Sequence, residues 1–253
     1  MSILLSTPNS NGWTKDEKEH ISNNYRFSFQ APFKNEVVVS ASQLLDDETL
    51  LNYLDQTGPR IGAKQRPVTA SLFFKRYAFC SLTSSLYGMT ILNKSFDMNL
   101  DNVYLIDHAS ESMWLPSFTL KDASARICTG SREDWRSSVL ESLFKENITV
   151  MLNHVAHTAR ISKATLWENA WIYIRWVYET WLGEDHPLEV KQQIQADYAF
   201  FMNAPAFHFG LSKNPFQRFA PPIGCNDFTK IRKTCCLYYK TENGTCCKTC
   251  PKR

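Results

Sequence analysis

The chain has 253 residues and is 43% hydrophobic and 13% aromatic, enough to bury a large core, so whole-chain disorder is excluded. Gly and Pro together are few, which removes collagen-like and low-complexity classes. No stretch approaches the roughly 18 uninterrupted apolar residues of a membrane span, and the start lacks a basic and apolar leader. A soluble, cytoplasmic protein is expected.

Taken in chain order, Thr14-Lys-Asp-Glu17 reads as a capping box opening a short helix to about Tyr25. Residues 36–40 suit a short strand. Residues 42–56 show helical apolar spacing, with Gly58 as the expected stop. Pro67 sits in the first turn of a long helix to about Leu92, whose core face is marked by Leu72, Phe73, Tyr77, Phe79, Leu82 and Leu86. The runs 102–107 and 113–118 suggest an antiparallel pair, with Pro116 at an edge or bulge. Ser131 caps a helix reaching about Asn153, Ser162 caps another over 163–182 ended by Gly183, and His186-Pro187 opens a last helix to about Phe201. Pro205, Pro215, Pro221, Pro222 and Gly224 then mark an irregular connector. The expected class is α+β: a mainly helical body over 1–223 with a small antiparallel sheet, then a short cysteine-rich segment over 224–253.

Charge and cysteine are both skewed to the end. Residues 230–253 carry +6, leaving −3 for the rest, and five of the eight cysteines lie between 235 and 250. Cys225 stands just upstream, while Cys80 and Cys128 are isolated and read as small buried apolar residues. The spacing is Cys235-Cys236, ten residues, then Cys247-x2-Cys250, with an extra thiol at Cys246. A Cys-x2-Cys turn lets two thiolates reach one ion. Leu237-Tyr-Tyr suits a packed strand and Glu242-Asn-Gly-Thr a tight turn, which would fold one pair of thiols onto the other. Disulfides, structural zinc and a [2Fe-2S] cluster all remain open on spacing alone.

At these residues the chain resembles the FhuF-type ferric siderophore reductases, whose C-terminal signature is Cys-Cys-x10-Cys-x2-Cys. The resemblance implies a [2Fe-2S] cluster on Cys235, Cys236, Cys247 and Cys250. Upstream, Ile161-Ser-x-x-x-Leu-Trp-Glu-Asn-Ala170 is similar to a stretch of that family in which Gly is usual where Glu168 stands. Ser71-Leu-Phe-Phe-Lys-Arg-Tyr77 and Asn99-Leu-x-Asn-Val-Tyr-Leu105 are similar to segments of the C-terminal domain of siderophore synthetases. The implied activity is one-electron reduction of a ferric siderophore, anionic and of hydroxamate or citrate type, with a ferredoxin- or flavodoxin-like electron donor.

Trp167, Trp171, Ile174, Tyr178 and Trp181 are spaced as a helical core face. Trp167, Asn169, Arg175, Arg232 and Lys233 are the candidate substrate-facing residues, and the basic tail is expected to draw anionic partners. His154 and His157 read as surface or core histidines rather than ligands. Neither a phosphate-cradling glycine loop nor a Gly-x-Ser-x-Gly elbow is present. The competing readings are a zinc-stabilised nucleic-acid-binding protein and a ferredoxin-like electron carrier.

Overall fold

The computed structural model describes residues 12–30, 36–108, 114–219 and 231–253. The expected boundary at 223/224, Cys225, Lys230 and the Pro221–Gly224 connector lie outside the described residues.

Helix α1 (Lys15–Tyr25) opens on the expected capping box: Thr14 Oγ1 accepts from Glu17 N at 3.3 Å, and Glu17 accepts back from Thr14 N at 2.7 Å. Strand β1 (Val37–Ser40) follows. Helix α2 (Asp47–Ile61) starts later and runs further than its apolar spacing suggests, with Asp46 as its N-cap. Gly58 is not its stop but an interior residue where α3 passes close: a Cβ there would meet Thr69 Oγ1 at 3.1 Å, a tight contact. Gly62, left-handed at φ +73°, ends the helix.

Helix α3 (Arg66–Thr90) begins with Pro67 in its first turn and is buried over most of its length. The expected core face holds except at Phe79, which is half-buried and borders a cavity. Strand β2 (Lys94–Ser95) pairs antiparallel with β5 (Arg126–Ile127). Strands β3 (Val103–Asp107) and β4 (Ser117–Leu120) pair antiparallel as expected, but the second strand lies at 117–120 rather than 113–118, since Pro116 stands just before it where it costs no ladder bond. Val39 pairs with Leu105 and Leu105 with Phe118, giving a three-stranded sheet in the order β1-β3-β4.

Ser131 caps α4 (Arg132–Leu140), its Oγ accepting from Asp134 N at 3.3 Å. The chain continues through a π-helical stretch, Glu141–Ile148, into α5 (Thr149–Thr158). Helix α6 (Lys163–Gly183) follows Ser162, whose hydroxyl makes no cap bond; its carbonyl alone accepts from the first turn. The α6 face predicted from spacing is buried throughout, from Trp167 to Trp181. Helix α7 (Leu188–Asn203) completes the body.

Helices α3 and α6 pack on each other at the centre, so their polar side chains are held in place by apolar packing on both sides. This matters because Ser71 on α3 and Glu168 and Asn169 on α6 are all buried there. Among the described residues, no helix is long and apolar enough to cross a membrane.

Candidate metal centre

The cysteine segment has little regular structure of its own. The expected strand at Leu237-Tyr-Tyr does not form. Leu237 N donates to Cys235 Sγ at 3.3 Å, which curls the chain round the sulfur and puts Leu237 at φ 65°. Tyr238–Lys240 then makes a single 3-10 turn. The expected tight turn does form, with Gly244 N donating to Thr241 O at 3.1 Å. Arg232 N donates to Thr249 O at 2.8 Å, closing the two ends of the segment on each other.

Buried polar groups of α3 and α6 dock this segment. Ser71 Oγ donates to Cys236 O at 2.9 Å. The Asn169 amide nitrogen donates to Ser71 O and Oγ, at 3.1 and 3.0 Å, and its oxygen accepts from Arg232 Nη2 at 2.7 Å. Glu168 accepts from Lys233 N at 2.8 Å and Thr234 N at 2.6 Å, and from the Thr234 hydroxyl. Arg232 Nε lies 3.7 Å from the same carboxylate, with both side chains 5% exposed. Sequence reasoning treated Glu168 only as a departure from the family pattern; in the fold it is the anchor immediately before the first cysteine pair. At the other end, Glu242 N donates to Gly62 O at 2.9 Å, tying the turn to the end of α2.

This docking gathers the thiols. Cys235 Sγ and Cys250 Sγ stand 3.7 Å apart, close to the ~3.8 Å between two corners of a tetrahedral metal with ~2.3 Å sulfur bonds. Lys252 N donates to Cys250 Sγ at 3.4 Å, as Leu237 N does to Cys235 Sγ. Such amides stabilise a thiolate bound to iron. Burial pushes the Cys235 thiol up to about 11, against the opposing pull of the Leu237 amide. Cys250 is affected first by burial, which raises it, but the Lys252 amide and the thiols of Cys235, Cys246 and Cys247 outweigh this and bring it below the ordinary range.

Cys246 is the extra thiol of the spacing. Alternation along an extended chain would turn it away, yet it lies beside Cys250, because the chain turns over 247–250, where Cys250 N donates to Cys247 O at 3.0 Å. Desolvation first, then its cysteine neighbours, raise its thiol. Cys236 is buried on the α3 side, and the thiols of Cys236 and Cys247 lie within electrostatic reach of Lys75. Among the described residues, no three Cys, His, Asp or Glu side chains are already arranged round one ion. The donor set itself is all thiol, carries amide support and sits beside the cations Lys75 and Arg232, which suits a negatively charged iron–sulfur centre.

The five substrate-facing candidates separate. Arg232 is buried between Glu168 and Asn169 and so is spent on docking, not displayed to solvent. Asn169 is fully buried and satisfied by Ser71 and Arg232. Trp167 packs in the core against Phe216. Arg175 pairs with Glu179 at 2.6 Å, and it lines a cavity of about 210 Å³ together with Lys233. Lys233 is exposed and donates through Nζ to Arg218 O. Of the remaining groups, Cys80 is buried, its thiol pushed up to about 12 by that burial, and Cys128 is half-buried. His154 lies 3.8 Å from Asp47 and His157 is exposed.

A helical body that clamps a loop of amide-supported thiols defines a metalloprotein with a thiolate-ligated centre. Its family is shown by comparison. Residues 71–225 match the model described as ferric iron reductase FhuF-like transporter, and residues 232–252 match the FhuF 2Fe-2S C-terminal domain. The chain belongs to this FhuF-like family. It carries a [2Fe-2S] domain at its C-terminal end, and its role is of the ferric iron reductase type, an oxidoreductase. No curated protein matches the chain significantly.

Proposed function

We propose that the protein is a ferric siderophore reductase of the cytoplasm, taking electrons from a ferredoxin- or flavodoxin-like protein and releasing Fe(II) from its Fe(III)–siderophore substrate. The observation that carries this reading is the amide-supported gathering of thiols within the segment that matches the [2Fe-2S] domain. In this reading residues 1–223 form the substrate-binding body and 224–253 the cluster-binding segment, with Cys235, Cys236, Cys247 and Cys250 as ligands.

When bound, the cluster supplies single electrons; the substrate Fe(III) gains one and becomes Fe(II). The hard anionic oxygens of a siderophore hold the lower-charged ion less tightly, so reduction alone loosens it and no acid or base is required. The chain's own residues have three tasks. Glu168, Asn169 and Ser71 fix the loop carrying the thiols. The amides of Leu237 and Lys252 donate to two of the sulfurs. Lys75 offsets negative charge from the body side, which favours the reduced state electrostatically.

Anaerobic purification tests the reading. Two irons and two acid-labile sulfides per chain are expected. The chemically reduced protein is expected to lose its electron stoichiometrically to a ferric siderophore, with Fe(II) captured by a ferrous chelator. In single Cys→Ser variants, Cys235, Cys236, Cys247 and Cys250 are expected to lose or distort the visible spectrum, while Cys246→Ser and Cys225→Ser keep it. A colourless protein with stoichiometric zinc would overturn the proposal. Loss of the spectrum in Cys246→Ser but not in Cys247→Ser would overturn the ligand register.

A further inference from the structure

The cavity of about 210 Å³ beside Arg175 opens between α6 and the cysteine segment, and two large apolar side chains stand exposed at it. Trp176 on α6 is 44% exposed, and Ile231 at the start of the segment is 64% exposed. All seven tryptophans lie in described residues, and Trp176 is the one that is exposed. Its ring stacks on Phe79 at 6.1 Å between centroids, so a partner meets it already positioned. A single exposed apolar residue needs no explanation, but two at one opening mark an interaction site.

That opening lies next to the thiols. Thr249 forms part of its wall, and the Thr249 hydroxyl is 3.9 Å from Cys247 Sγ. One side chain therefore separates the cavity from the metal centre.

The surface around it is basic. Within 231–253, Lys233, Lys240, Lys248, Lys252 and Arg253 are exposed, against one exposed acid, Glu242, which faces Lys64 at 3.6 Å. Lys233 lines the cavity and donates to a carbonyl, Arg218 O, a neutral partner that leaves the ammonium charge in place. Lys248 precedes Thr249, and Arg253 Nη1 donates to Lys248 O at 3.4 Å, which holds two more cations at that end.

The occupant follows from size and charge. The volume is below the roughly 300–1,000 Å³ usual for small-molecule sites, and a small anion inside would meet the carboxylates of Glu168 and Glu179. A protein resting over the opening meets Trp176, Ile231 and the cations instead. A second copy of this chain is disfavoured, because it would bring the same cations to the contact.

We propose that this face docks a small acidic electron-donor protein, with Trp176 and Ile231 as the apolar centre and Lys233, Lys248 and Arg253 as the basic rim. The proposal rests on the reductase reading and gives its electron donor a place, but it can fail separately. In the docked pair the donor gives up one electron and is oxidised, the centre behind Thr249 gains it and is reduced, and no bond forms or breaks. A transient electron-transfer contact buries little area. Its rim charges set the encounter rate, and a central Trp supplies much of the affinity.

The experiment uses the cluster-loaded protein, wild type, Trp176→Ala, Ile231→Ser and Lys233→Glu, matched by visible spectrum and thermal midpoint. Binding of an acidic [2Fe-2S] ferredoxin, with both proteins oxidised, is measured by calorimetry at increasing salt. Basic cytochrome c and a single-stranded oligonucleotide are the controls. A second measurement bypasses the donor: wild type and Trp176→Ala are reduced with dithionite, freed of the excess, and mixed with ferric citrate or ferric tris(acetohydroxamate). The ferredoxin is expected to bind the wild type at low salt and to weaken as salt screens the rim. Trp176→Ala and Lys233→Glu are each expected to weaken it roughly tenfold, about 1.4 kcal/mol, with Ile231→Ser in the same direction and a flatter salt dependence in Lys233→Glu. Trp176→Ala is expected to pass its electron to the ferric complexes at the wild-type rate.

No binding to the wild type, equal binding by all variants, or equal binding of cytochrome c would overturn the proposal. Tighter, Trp176-dependent binding of the oligonucleotide would make this a nucleic-acid surface and overturn it as well. Slower electron loss from reduced Trp176→Ala to the ferric complexes would assign the cavity to the substrate and not to a donor. If the reduced wild type reduces neither ferric complex, the reductase reading fails, and the docking face stands or falls on the ferredoxin titration alone.

Discussion

Replacing Glu168 by Ala removes the anchor of the cysteine segment. The carboxylate accepts two backbone amides at 2.8 and 2.6 Å and one hydroxyl, and pairs with a buried Arg232. Deleting one partner of a buried ion pair costs about 3–5 kcal/mol, because the other charge stays desolvated. The body does not depend on this contact, so the cost falls on docking of residues 231–253 rather than on global unfolding. Even the lower figure, about 3 kcal/mol, shifts the docked-to-detached ratio more than a hundredfold. The assay is hydrogen exchange by mass spectrometry, with visible absorbance per chain measured on the same samples. Glu168→Ala is expected to lose protection across 231–253 while α3 and α6 keep theirs, and to yield less cluster. Adding Arg232→Met removes the stranded cation, so the double variant is expected to recover part of the loss. If Glu168→Ala retains both wild-type protection in 231–253 and its full cluster, the clamp described here does not hold the segment.

Two further expectations concern the body. Asp197 is fully buried and receives Arg132 at 2.6 Å and Arg136 at 2.9 Å. Asp197→Asn is expected to cost about 3 kcal/mol and lower the melting temperature by roughly 6–12 °C without altering the cluster spectrum. Glu17 is half-buried, and burial, the largest influence, raises its pKa. The Lys94 ammonium and the Thr14 amide outweigh this and hold it below its ordinary 4.5. A depressed carboxyl stabilises the fold above its unfolded pKa and loses that contribution as pH falls through its folded value. The wild type is therefore expected to lose more stability than Glu17→Gln between about pH 5 and pH 3, read as thermal midpoints, and parallel curves would contradict it.

What the sequence determined by itself is what depends on near neighbours. The Thr14–Glu17 box, the Ser131 cap, the buried face from Trp167 to Trp181 and the β3–β4 pair all follow from local spacing, where one turn or one alternation suffices to set the interaction. The cysteine spacing was legible for the same reason, and it carried the family. Where local patterns misled, a tertiary contact had overridden them. Gly58 continues its helix because α3 needs the room, and Leu237 leaves the extended conformation because a sulfur takes its amide. The clamp lay beyond reach altogether. Ser71 meets Cys236 across 165 residues and Glu168 meets Thr234 across 66. The sequence offered Arg232 as a surface charge, and only the packing of α3 against α6 decided that it is buried against a carboxylate. A side chain's partners are set by the elements that enclose it, and those come together only once the chain is folded.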